Sequence, residues 1–134
     1  MRSAVSTGIG CNKEGSEVMQ GELRMAAEPP YRVKQVEPVM IGTDVSVRRF
    51  VLGAGEAIPW HRHTGTDDLC VLLSGRLRVE TRGPDTDQVL APGGSHRTPA
   101  GMPHRLSNAG VDDCVFLLIQ GVGQRDFVKL ETTA

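Results

Sequence analysis

The chain has 134 residues, enough for one domain with a buried core. Its 15 basic and 16 acidic side chains give a formal net charge of −1, and this balance disfavours long-range attraction to nucleic acid or anionic lipid. The longest apolar run, residues 115–119, is far shorter than the roughly 20 residues that a membrane helix needs.

The N-terminal sequence and the cysteines together predict a cytoplasmic protein. No apolar stretch of the length that a secretory signal needs follows Arg2. Cys11, Cys70 and Cys114 are odd in number and lack CxxC spacing, which is typical of reduced thiols rather than of disulfides or a zinc finger.

Residues 1–30 differ in composition from the rest of the chain. They combine Gly, Ser and Glu with scattered single apolar residues and end in two prolines. Low hydrophobicity without periodicity predicts an N-terminal arm, either flexible or packed on the barrel or on a partner subunit. The domain itself is predicted to span residues 31–134.

From residue 31 onward the chain alternates between short strand-like runs and turns. Val, Ile and Leu recur at every second position, and Gly, Pro, Asn and Asp punctuate the runs. This pattern predicts an all-β sandwich or barrel. The predicted strands are residues 32–36, 44–52, 57–63, 69–73, 77–81, 88–90, 104–108 and 114–120.

Three of the four histidines lie in two of these runs. In a strand, residues two apart point to the same face about 6.6 Å apart, so His61 and His63 can bind one ion through both imidazoles. His104 opens another predicted strand and reaches the same ion if that strand lies alongside. An isolated HxH is most often ordinary surface or core histidine, so the surrounding pattern decides the interpretation.

That pattern resembles the two sequence motifs of the cupin superfamily. The first motif is written G-x5-H-x-H-x3–4-E-x6-G, and here Asp68 stands where the family has Glu. The second, G-x5-P-x-G-x2-H-x3-N, is complete. The matching residues are Gly55, His61, His63, Asp68 and Gly75 in the first motif and Gly93, Pro99, Gly101, His104 and Asn108 in the second.

The resemblance implies a cupin jelly-roll β-barrel that holds a metal ion inside its mouth. It assigns the ligand positions to His61, His63, Asp68 and His104. Aspartate is shorter than glutamate by one methylene, which is a difference in reach of about 1.5 Å. Metal–ligand distances vary by only about 0.2 Å. Asp68 is therefore either a direct ligand or a residue that orients a water or an imidazole, and Asp67 is the alternative carboxylate.

Three neighbouring side chains have interpretations that involve no metal. His96 does not occupy a motif ligand position and is predicted to be peripheral. Cys70 shares the parity of Asp68 and is predicted to be a buried apolar filler. Trp60 has the opposite parity to His61 and is predicted to pack on the outer face of the barrel.

Histidine and carboxylate ligands suit one divalent transition-metal ion, Fe, Mn, Ni, Cu or Zn. We expect a metal-dependent enzyme of the dioxygenase type that acts on a small molecule, with isomerase, cyclase and decarboxylase chemistry as family options. The alternatives are a non-catalytic small-molecule binder or sensor, and a barrel that its metal only stabilises. No residue is assigned as a general acid or base. The strand 114–120, apolar on both faces, predicts a homodimer.

Overall fold

The computed structural model describes residues 31–121, 123 and 125–131, which form ten β-strands and no helix. Short runs with alternating apolar residues and frequent glycine turns explain this all-β content. The strands are β1 (Gln35–Ile41), β2 (Ser46–Leu52), β3 (Ala57–Arg62), β4 (Asp68–Ser74), β5 (Leu77–Thr81), β6 (Thr86–Leu90), β7 (Ser95–Thr98), β8 (His104–Asn108), β9 (Cys114–Gln120) and β10 (Val128–Lys129).

The strands form two five-stranded antiparallel sheets. The first sheet has the order β1-β2-β9-β4-β7, and the second has the order β10-β3-β8-β5-β6. Strands distant in the chain are neighbours in both sheets, as when β9 lies between β2 and β4. The predicted all-β jelly-roll is confirmed.

The strand predictions differ from the structure mainly at sheet edges. The first strand was predicted at residues 32–36 but spans Gln35–Ile41. It contains Pro38, which an edge strand tolerates because no neighbour needs its missing N–H. The two unpredicted strands, Ser95–Thr98 and Val128–Lys129, are also edge strands, and their polar or short sequences carry little alternation.

The apolar core lies between the inner faces of the two sheets. Phe50 on β2 and Phe116 on β9 are fully buried, and their rings stack with centroids 5.2 Å apart. Leu72 and Leu77 add fully buried side chains from β4 and β5. Each such side chain stabilises the fold by about 1.5–3 kcal/mol relative to an exposed position.

Two motif residues have structural roles that explain why glycine and asparagine occupy these positions. Gly75 has a φ of 86°, and a Cβ there would lie 2.6 Å from the carbonyl oxygen of Asp113, so only glycine fits this turn. The Asn108 amide donates to the carbonyl oxygens of Leu52, at 3.0 Å, and Asp112, at 2.8 Å. These bonds hold the turn after β8 against the end of β2.

The predicted arm at residues 1–30 and Cys11 lie outside the described residues. Within the described part of the chain, Cys70 and Cys114 are both buried free thiols. No helix in that part is long and apolar enough to cross a membrane.

Candidate metal centre

The four residues selected by the motifs meet between the two sheets. His61 on β3 pairs in register with His104, the first residue of β8, within the second sheet. His63 directly follows the last residue of β3. Asp68 opens β4 in the facing sheet. All four side chains are at most 5% exposed, so the cluster belongs to the interior of the barrel.

Each imidazole is oriented by a backbone carbonyl. Nδ1 of His61 lies 2.7 Å from the Pro59 oxygen, and Nδ1 of His104 lies 2.9 Å from the Met102 oxygen. Nδ1 of His63 contacts the Asp126 carbonyl oxygen. Because a carbonyl only accepts, each Nδ1 is the protonated nitrogen that donates. In the neutral rings Nε2 then carries the free lone pair, which is the tautomer that ligates a metal.

The Asp68 carboxylate reaches this cluster despite its shorter side chain. Its Oδ2 lies 2.9 Å from Nε2 of His63 and 3.1 Å from Nε2 of His104. Its Oδ1 accepts a hydrogen bond of 2.9 Å from the side-chain amide of Gln120. The placement of Asp68 at the first position of β4 compensates for the missing methylene, because the strand itself begins beside the histidines.

At His61 and Asp68 the electrostatics favour the protonation states that metal ligands require. Burial, and then the neighbouring His104, lower the pKa of His61 to about 3. Burial opposes ionisation of Asp68, but His104, His63 and Gln120 outweigh it and hold the pKa of that carboxyl well below its usual range. Neutral imidazole and ionised carboxylate are the metal-binding forms.

The environment of His63 also favours positive charge. Burial lowers its pKa, but the interactions with Asp68 and with the Asp126 carbonyl are stronger, and the net direction is upward. A site that favours an added proton between His63 and Asp68 also favours a cation at that position.

The donor atoms fit a divalent ion. Ligand atoms of His61, His63, Asp68 and His104 all lie within 4.8 Å of one another. Two ligands at right angles and about 2.1 Å from one ion are about 3.0 Å apart, close to the two imidazole–carboxylate distances. Nε2 of His63 is buried without a hydrogen-bond partner. It lies close to Oδ2 of Asp68, but the two groups are not aligned for a hydrogen bond. A cation between these atoms would satisfy it.

Asp67, the alternative carboxylate, is turned away from the cluster. It forms an ion pair with Arg97 and accepts a hydrogen bond of 2.9 Å from the backbone N–H of Ala100. These bonds tie the loop before β4 to the loop after β7. The structure therefore brings the Asp68 carboxylate, and not that of Asp67, to the three histidines.

The three neighbouring side chains have different environments. Cys70 is 3% exposed and burial raises the pKa of its thiol to about 12, in agreement with an apolar filler. Trp60 lies on the opposite face from His61, with the guanidinium of Arg82 at 3.9 Å from its ring centroid. His96 lies outside the ligand cluster but is half-buried on β7 opposite Cys70, and so is less peripheral than predicted.

Hydroxyls in the loop after the histidines differ in their bonding. Thr64 donates to the Asp126 carboxylate from both its backbone N–H, at 2.9 Å, and its hydroxyl, at 2.6 Å. Thr66 is 2% exposed, and its hydroxyl is buried without a partner. Thr64 therefore anchors the loop, whereas the Thr66 hydroxyl keeps its hydrogen-bonding capacity.

Sequence reasoning did not select three residues that support the cluster. Gln120 shares the inward parity of Phe116 and Leu118 in the predicted strand 114–120, and a polar residue on that face was the available signal. Phe127 stacks on His61 with ring centroids 4.3 Å apart. It and Asp126 lie in a stretch without periodicity, so no spacing pattern pointed to them.

Comparisons with known proteins agree with this architecture. A family model described as a cupin domain matches residues 48–120. The TT1209 protein from Thermus thermophilus is 26% identical with a TM-score of 0.62, over 75% of this chain and 93% of that one. No functionally curated protein matches the chain.

Two enzyme structures are also similar. A structure from a study of the DMSP lyases RdDddP and RnDddQII is 27% identical with a TM-score of 0.57, over 65% of this chain and 44% of that one. An oxalate oxidase structure is 19% identical with a TM-score of 0.61, over 65% of this chain and 46% of that one. The matched region thus spans less than half of either enzyme chain.

Proposed function

Because this chain belongs to the cupin family, we propose that it is a metal-dependent enzyme of the oxygenase type acting on a small molecule. One divalent transition-metal ion would be held by His61, His63, Asp68 and His104. One observation carries the proposal. Three buried imidazoles are each held at Nδ1 by a carbonyl oxygen, with their other nitrogens grouped around one carboxylate.

The bound ion would supply Lewis acidity or a redox centre. The protein residues keep the ligands in place and water away from them. Gln120 donates to Oδ1 of Asp68 and so leaves Oδ2 directed at the histidines. The Phe127 ring covers one face of the His61 imidazole. Outer partners of this kind raise ligand basicity and restrict solvent access.

The oxygenase assignment is supported by the donor set. Imidazole ligands with one carboxylate suit Fe, Mn, Ni, Cu or Zn, and histidine–carboxylate sites with open positions are used by non-haem iron oxygenases. Similarity to structures of DMSP lyases and an oxalate oxidase is compatible with an enzymatic role on this fold.

Turnover experiments test the enzymatic part of the proposal. Protein loaded separately with Fe(II), Mn(II), Ni(II), Cu(II) or Zn(II) is incubated with a panel of small organic acids and alcohols, and both O2 uptake and product formation are followed. We expect turnover with at least one redox-active metal and none in His104→Ala. Tight ligand binding without any turnover would instead support the non-catalytic binder or sensor.

We also propose that the protein is a homodimer working in a reducing, cytoplasmic compartment. The two buried free thiols Cys70 and Cys114 support the compartment. Outward-facing Leu117 and Ile119 on β9, with Val71 and Leu69 beside them on β4, support a subunit interface. Light scattering at micromolar concentration should give twice the 14.4 kDa chain mass. A monomer mass would contradict the proposed dimer.

A further inference from the structure

Hydrogen bonding is incomplete at one end of the barrel interior. Among the described residues, four buried side-chain nitrogen or oxygen atoms lack a hydrogen-bond partner. They are Nε of Arg48, Nε2 of His63, Oγ1 of Thr66 and Nη1 of Arg125. Buried polar groups are nearly always paired, so a concentration of exceptions calls for a ligand. The metal ion proposed above would account for His63 but not for the two cationic donors, because a cation does not accept their hydrogen bonds.

Arg48 lies on the inner face of β2, close to the metal cluster. It shares the inward parity of Phe50, and its guanidinium carbon lies 5.4 Å from that ring's centroid. Nη2 donates to the side-chain oxygen of Gln120 at 3.2 Å, and Gln120 in turn donates to Asp68. Arg48 is therefore one side chain removed from a proposed metal ligand, with its Nε–H still unused.

Arg125 brings a second guanidinium to the same end. It directly precedes Asp126, whose carbonyl contacts His63, and its Nη2 donates to the carbonyl oxygen of Gly42 at 3.4 Å. Burial is the main cause that lowers the pKa of Arg48, and the positive charge of Arg125 lowers it further. That interaction is additional support for the proximity of the two guanidinium groups.

Neither guanidinium pairs with a carboxylate in the described part of the chain. The arginines that do form ion pairs there, at positions 49, 78, 97 and 105, each have an Asp or Glu within 4.0 Å. Two guanidinium charges and a divalent ion would together outweigh the two negative charges of Asp68 and Asp126. The mouth of the barrel therefore has an excess of positive charge that an anion would balance.

We propose that Arg48 and Arg125 form an anion-binding subsite beside the metal cluster, and that the substrate is a small carboxylate. This inference rests on the proposed function and specifies its substrate class. Each guanidinium keeps one buried donor free, and a carboxylate can accept a charge-assisted hydrogen bond from each of them. The Thr66 hydroxyl offers a further hydrogen bond to a polar group of the ligand.

Glycolate is a suitable probe because ethylene glycol is its uncharged counterpart. Binding of each to zinc-loaded full-length protein is measured by isothermal titration calorimetry. We expect glycolate to bind at least about tenfold more tightly than ethylene glycol, since hydrogen bonds to charged groups are the stronger class. Equal affinities would overturn the subsite. Inorganic phosphate binding more tightly than glycolate would overturn the carboxylate assignment.

A pair of variants on one strand isolates the contribution of Arg48. Arg48→Met removes the inward charge, whereas Arg49→Met removes the adjacent charge on the outer face, where Arg49 pairs with Glu37 at 3.2 Å. We expect glycolate affinity to fall at least about tenfold in Arg48→Met and to stay within about twofold of wild type in Arg49→Met. If Arg48→Met does not fold, Arg48→Lys and Arg125→Gln replace it, each with an expected loss of at least about threefold.

Metal content separates failure of this inference from failure of the proposed function. If all variants retain zinc but Arg48→Met and Arg49→Met bind glycolate alike, the subsite is wrong and the metal centre stands. If wild type retains none of Fe(II), Mn(II), Ni(II), Cu(II) and Zn(II), the proposed function is wrong. Glycolate is then titrated into the same two variants without metal. If the subsite exists, only Arg48→Met should bind glycolate more weakly than wild type.

Discussion

The two ends of the barrel interior differ in chemistry although the same strands line both. On β4 and β9, Leu72 and Phe116 face one end, while Asp68 and Gln120 face the other. On β8 the same change separates Leu106 from His104. A few residues along each strand separate an apolar layer from a polar one, so stability and chemistry occupy distinct layers of one structure.

The difference has an energetic basis. At the apolar end, burial of large side chains stabilises the fold in proportion to the area removed from water. At the polar end, buried imidazoles, a carboxylate and guanidinium groups carry a desolvation cost that only matched partners offset. The residues at that end are therefore better explained by the proposed ligands than by a contribution to folding stability. Mutations in the two layers should separate stability from binding.

The largest effect is expected at the apolar end. Phe116→Ala should lower the free energy of unfolding of the metal-free protein by about 3–5 kcal/mol, because it leaves a cavity beside Phe50. Urea denaturation measures this loss. Val89→Ala, at an exposed position on β6, is the control and should cost less than about 1 kcal/mol. Loss of metal by the folded Phe116→Ala protein would show that the two layers are not separable.

The next effect concerns the carboxylate. Asp68→Asn should weaken metal binding by more than roughly a hundredfold, beyond the range typical of outer partners, because it removes the only carboxylate in the cluster. Competition with a chromophoric chelator measures the affinity. The adjacent Asp67→Asn serves as control and should bind metal like wild type. Equal affinity of the two variants would exclude Asp68 as a ligand.

Gln120 should have a smaller effect on the same property. Gln120→Leu keeps the side-chain volume but removes the hydrogen bond to Oδ1 of Asp68, so metal affinity should fall roughly 10–100-fold. The chelator competition applies here too. Gln88→Leu, on an exposed strand position, is a matched control with no expected change. An unchanged affinity in Gln120→Leu would show that Asp68 needs no such support.

The smallest effect is expected outside both layers. The ion pair between Asp67 and Arg97 is solvent-exposed, and its loss in Arg97→Gln should change the free energy of unfolding by less than about 1 kcal/mol. Metal affinity should be unaffected. A measurable fall in metal affinity would mean that the loop before β4 also positions Asp68, and the polar layer would then extend to the surface.

The sequence predicted the residues whose positions depend on local spacing, and it missed those whose positions depend on contacts between distant parts of the chain. Alternation and motif spacing were enough to select His61, His63, Asp68 and His104, because each depends on local parity and on recognisable turns. The position of Gln120 beside Asp68 depends on the register of β9 against β4, which joins residues 52 positions apart. Arg125 and Phe127 lie in an irregular stretch, where no periodicity indicates which side chains face inward.

Metal stoichiometry of the purified full-length protein tests the central claim most directly. The protein is loaded separately with Fe(II), Mn(II), Ni(II), Cu(II) and Zn(II) and desalted gently. Its metal content is then measured by elemental mass spectrometry. We predict about one equivalent of at least one metal per chain, and loss of that metal in His61→Ala and His104→Ala. Less than about 0.2 equivalents of every metal in the wild-type protein would contradict it.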